Sequence, residues 1–134
     1  MKNAKPVILA ALLTLGMACG YSSKPTTPTV AGTMPTIAAL IPNSTPAGMS
    51  LGANGLMVTG TNFNTNATIN WNGTALTTTH VSATQLTATV PDPDVATAGT
   101  VAVTVTNPGT AGTGAYGSGG TAAETSAPMT FTIN

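Results

Sequence analysis

The stretch "GTVAVTVTNPG", residues 99–109, alternates valine with alanine and threonine at a strict period of two. Successive side chains of an extended chain point to opposite faces. Val101, Val103 and Val105 therefore share one face, with threonines on the other. Such a strand is stable only if its valines pack on a second apolar layer. Weaker runs of the same kind surround it. "PTIAALIP" (35–42) turns Ile37 and Leu40 inward and stops at Pro42. "GLMVTGTNF" (55–63) puts Leu56 and Val58 on one face, Gly60 where a bulkier side chain would intrude, and Phe63 at the end as an anchor. "ATINWNG" (67–73) turns Ala67, Ile69 and Trp71 inward and closes on Asn72–Gly73, a pair that tolerates positive φ and marks a tight turn. "ALTTTHV" (75–81) is a weak strand placed to pair back as a hairpin. "QLTATVP" (85–91) offers Leu86, Ala88 and Val90, and "PMTFTIN" (128–134) offers Met129, Phe131 and Ile133. No convincing helical period occurs after the first twenty residues. The expectation is an all-β chain, a two-layer sandwich of about seven strands.

Composition supports strands. Threonine, with its branched Cβ, suits a pleated and half-exposed surface. Only 4% of residues are charged, where about a quarter is usual. The cations Lys2, Lys5 and Lys24 come first, and the anions Asp92, Asp94 and Glu124 come late. A chain beginning at Cys19 keeps one lysine against three acids, a side-chain charge of −2. Phosphate binding needs clustered cations, so nucleic acid is excluded as a partner.

The first eighteen residues read as a targeting signal. "MKNAK" is basic, and "PVILAALLTLG" is an apolar core of signal-peptide length, shorter than the roughly 20 residues a membrane-spanning helix needs. The leader ends "LGMAC", residues 15–19, and resembles that of bacterial lipoproteins, whose lipobox cysteine receives diacylglycerol. Ala18 supplies the small residue before the cysteine, whereas Gly16 stands where that family prefers leucine. The resemblance implies a lipid anchor on Cys19 and a place at the bacterial cell envelope. Gly16 and Ala18 equally suit ordinary signal peptidase, which leaves soluble secretion as the alternative. Cys19 is the only cysteine, so no disulfide within one chain can form. It also lies outside any domain that could hold a base beside it. Residues 19–34, with Ser, Thr and prolines but no apolar period, read as the lipidated cysteine and an extended tether.

The segments of residues 35–134 resemble, in order, the IPT/TIG family of immunoglobulin-like domains. They are "PTIAALIPNSTPAG", "LMVTGTNF", "INWNGTAL", "VSATQLTATVP", "GTVAVTVTNPG" and "MTFTI". The resemblance implies an immunoglobulin-like β-sandwich and association with a protein or a polysaccharide. One departure is the Gly/Ala/Thr/Ser-rich stretch of residues 109–126, expected to be a long mobile loop.

Little in the sequence carries chemistry. His80 is the only histidine, and Asp92 and Asp94 in "PDPD" are the only close acids. Glycosidase chemistry needs two carboxyls flanking a sugar, and calcium takes six or more oxygens. A Pro-Asp turn accounts for these acids more simply. "GTGAYG" (112–117) fits G-x-G-x-x-G, but no helix-forming segment follows it as a dinucleotide site requires. Trp71 shares the parity of Ile69 and is expected in the core, which leaves Tyr116 in the long loop as the candidate ligand contact. The sequence thus points to a non-enzymatic, cofactor-free binding, adhesion or scaffolding module. A secreted carbohydrate-binding domain is the alternative. A small hydrolase using His80 with Asp92 or Asp94 comes last.

Overall fold

The computed structural model describes residues 30–113 and 119–134. Among the described residues ten strands follow one another: β1 (Thr36–Ile41), β2 (Ser44–Thr45), β3 (Leu56–Thr61), β4 (Thr68–Trp71), β5 (Thr74–Ala75), β6 (Thr77–Ser82), β7 (Gln85–Thr89), β8 (Gly99–Asn107), β9 (Glu124–Thr125) and β10 (Met129–Ile133). A single 3-10 turn, Asp92–Val95, separates β7 from β8. One sheet runs β1-β3-β7-β6; the other runs β2-β10-β8-β4-β5, with β9 also paired to β8. These two sheets form an immunoglobulin-like β-sandwich, as the alternating runs led one to expect.

The alternation in β8 decides how the second sheet is built. Val103 and Val105 are fully buried, and Val101 packs against the core from a half-buried position. Trp71 of β4 and Met129 of β10 both lie opposite Val103. The inward residues of these strands meet Leu56, Val58, Leu86 and Ala88 from the first sheet. Trp71 and Phe131 are both buried, with ring centroids 4.9 Å apart and tilted by 55°, a geometry favourable to the aromatic quadrupoles. Val95 in the 3-10 turn is fully buried and closes one end of the core.

The structure differs from the sequence expectation in several places. The weak run at 75–81 pairs back only through β5, whose Ala75 lies opposite Asn70. The chain then crosses at Leu76, and β6 joins the other sheet beside β7. The crossing is held because Leu76 is buried and its N–H donates to the Ile69 carbonyl at 2.8 Å. The Thr78 hydroxyl accepts the Ile69 N–H at 2.9 Å, replacing a ladder bond that β5 is too short to make. Ile37, expected inside, is only half-buried.

Two further differences concern the stretches outside the regular strands. Part of the expected loop at 109–126 is paired: Thr110 and Thr121 exchange backbone hydrogen bonds of 3.1 and 3.0 Å, and β9 lies along β8. The tether expected through residue 34 is attached to the sandwich from Val30 onward. Val30 donates to Gly120 O at 3.2 Å and accepts from Ala122 N at 3.0 Å.

Candidate functional site

Two clefts open at opposite ends of β8. The larger, about 400 Å³, is lined by the β3–β4 connection (Asn64, Thr65, Asn66), by His80 of β6, and by Pro108 and Thr110 beyond β8. Phe63 in its wall packs over Gly60, where a Cβ would collide with the Thr36 carbonyl and the Phe63 ring. Glycine there lets Phe63 fold down and become 3% exposed. The Phe63 N–H then donates to Ala83 O at 2.9 Å, tying the loop to the β6–β7 turn. His80 reaches the same place from β6, its Nε2 lying 3.4 Å from the Phe63 carbonyl.

Asn107 organises this end. It is 2% exposed. Its Nδ2 donates to Asn62 O at 2.7 Å and to Thr33 O at 2.8 Å, and its Oδ1 accepts Asn64 N–H at 3.0 Å. One amide thus joins the end of β8, the cleft loop and the segment entering β1. The network also fixes the orientation of the amide, because two carbonyls face one atom and an N–H faces the other. Asn62 adopts a left-handed φ of 62°, tolerated by asparagine, and its Nδ2 donates to Met34 O at 3.2 Å.

The smaller cleft, about 330 Å³, lies between the β4–β5 turn and the 3-10 turn and is lined by Trp71, Asn72, Thr74, Pro93, Asp94 and Val101. The Asn72–Gly73 pair takes φ values of 49° and 86°, the tight turn expected of it. His80 and Asp94 therefore line different clefts. Val101 and Pro108 are seven residue steps apart along β8 and its end, roughly 23 Å, so no His–Asp dyad is assembled. Among the described residues, no three of His, Cys, Asp and Glu converge as metal ligands. Cys19 and Tyr116 lie outside the described residues, as does the centre of "GTGAYG".

A family model for the IPT/TIG domain matches residues 35–133. The chain belongs to this family. No curated protein and no solved structure matches it. Within the IPT/TIG domain, Phe63 of the "TGTNF" segment lines the larger cleft, and Gly60 leaves room for its ring. Asn107 escaped the sequence reading. Its signal was present, since it continues the inward parity of Val101, Val103 and Val105. A polar side chain on a core face calls for buried partners.

Proposed function

We propose that this IPT/TIG domain is a non-enzymatic binding or scaffolding module, held at a bacterial cell envelope by a lipid on Cys19. The observation that carries the non-catalytic reading is the separation of His80 from Asp94 into two clefts at opposite ends of β8. General acid–base or nucleophilic chemistry needs its groups within hydrogen-bond reach of one another or of one substrate. The larger cleft instead offers side-chain amides, hydroxyls and one imidazole, groups suited to holding a ligand rather than cleaving it.

The anchor is supported by the leader's resemblance to a lipobox and by the place where the domain begins. Val30, the first described residue, is paired to the sandwich, and eleven residue steps separate it from Cys19. At ~3.3 Å per residue they reach about 35 Å when extended, enough to hold the domain clear of lipid headgroups. Membrane fractionation of an expressing bacterium tests this. The unsubstituted chain is expected in the membrane fraction and Cys19→Ala in the soluble fraction; equal distribution of the two refutes the anchor.

The neutral, amide-rich lining favours a second reading, a secreted domain that binds polysaccharide. A glycan array, with Tyr116→Ala as a control for the loop contact, is expected to retain a glycan if that reading holds. An array with no retained glycan removes it.

A further inference from the structure

We propose that β6 is a homotypic docking edge, on which the β6 strand of a second copy of this chain adds antiparallel. The edges of the two sheets are not equally guarded. Natural sheets protect free edges with brevity, proline, charge or bulges, because an open row of backbone N–H and C=O groups recruits further strands. At one edge of the second sheet, β2 is two residues long and is followed by Pro46; at the other edge, β5 is also two residues long. β1 is preceded by Pro35, followed by Pro42 and interrupted by a register shift between Ile37 and Ala39. β6 has six residues with no proline and no charge. Its only irregularity falls after His80, so Thr77 to His80 pair regularly with β7.

The occupant follows from the surface chemistry. No Asp, Glu, Lys or Arg occurs between Lys24 and Asp92, so the whole sheet β1-β3-β7-β6 lacks Asp, Glu, Lys and Arg side chains. A charged partner strand would find no counter-charge there, whereas a second copy brings none and meets no like-charge repulsion. Thr77, Thr79 and Val81 of β6 are exposed on the outer face. A two-fold axis through Thr79 sets Thr79 against its copy within the regular stretch Thr77 to His80; Val81, which would face Thr77, falls at the register shift. Thr77 and Thr79 are β-branched residues that suit cross-strand pairing. Threonine hydroxyls already pair across neighbouring segments of this chain, at 2.6 Å for Thr36–Thr61, 2.9 Å for Thr106–Thr125 and 3.0 Å for Thr110–Thr121.

The product is a closed, isologous dimer with a continuous eight-stranded sheet. One strand edge buries far less than the ~1,200 Å² of a typical stable complex. Pairing is therefore weak in dilute solution and strengthened by crowding copies on a surface. It does not depend on the lipid anchor.

Sedimentation velocity of the Cys19→Ala chain, from micromolar to millimolar concentration, is the test. The sedimentation coefficient is expected to rise reversibly toward that of a dimer. Thr79→Lys is expected to keep the chain monomeric with an unchanged far-ultraviolet spectrum. A chain that stays monomeric throughout, or whose dimerisation ignores Thr79→Lys, overturns the proposal and leaves the edge to a different strand. Should Thr79→Lys fail to fold, hydrogen exchange on the Cys19→Ala chain decides. Amides of residues 77–82 are expected to gain protection as concentration rises; gain confined to residues 36–41 or to neither edge overturns it.

Discussion

Replacing Asn107 probes how one buried amide joins three segments that are distant in sequence. In Asn107→Ala the Asn64 N–H and the Asn62 and Thr33 carbonyls lose their partner. A polar group left unpaired in a buried site costs ~1–3 kcal/mol. Because Thr33, Asn62 and Asn64 are themselves exposed, water can recover part of that loss, and the expected total is about 2–4 kcal/mol. For a domain near one hundred residues this lowers the melting temperature by ~10 °C or more. Asn107→Asp adds a pH dependence whose sign is fixed by geometry. The new carboxyl faces two carbonyl oxygens in a buried place, so its pKa rises above the unfolded value. The protonated form retains a donor. The variant's deficit is therefore smallest below the ordinary carboxyl range and grows as pH rises through the raised pKa. Urea unfolding followed by the fluorescence of Trp71, the only tryptophan and 4% exposed, measures both effects. A loss under ~0.5 kcal/mol for Asn107→Ala, or an Asn107→Asp deficit that shrinks as pH rises, would refute this reasoning.

Other substitutions separate packing from chemistry. Gly60→Ala sets a methyl against the Thr36 carbonyl and the Phe63 ring; thermal unfolding should show a loss of ~1–3 kcal/mol typical of overpacking. Phe131→Ala removes a fully buried ring from Trp71 and is expected to cost ~3–5 kcal/mol, with a red shift in Trp71 emission. His80→Ala deletes a half-buried side chain whose nearest polar partner is the Phe63 carbonyl. Urea titration should find it within ~1 kcal/mol of the parent, and a hydrolase screen should find no activity in either protein. Hydrolysis lost on that substitution would restore the enzymatic reading.

The sequence made side-chain parity visible but hid the long-range partners. Ile69, Trp71, Val103 and Phe131 could be placed inward because a period of two leaves each residue one of two faces. The same parity is silent about which sheet receives a strand. The crossing at Leu76 could not be read, since "ALTTTHV" alternates equally well beside β4 or beside β7. The larger cleft was hidden for a related reason. Asn64 and Pro108 are far apart in the chain and meet only because β3, β4 and β8 end at the same side of the sandwich. Residues 30–34 are attached through their own backbone groups, Val30 to Gly120 and Ala122 and the Thr33 and Met34 carbonyls to the Asn107 and Asn62 amides, which leaves no mark in their residue type beyond Gly32. A Cβ at Gly32 would collide with the neighbouring Ala122 carbonyl oxygen if that chain path were kept.

The tethered-module reading is tested most directly by the intact mass of the mature N-terminus from an exporting bacterium. Cleavage between Ala18 and Cys19 with diacylglycerol on the cysteine sulfur is the expected result. A mature chain carrying an unmodified Cys19, or one that retains residues 1–18, would contradict it.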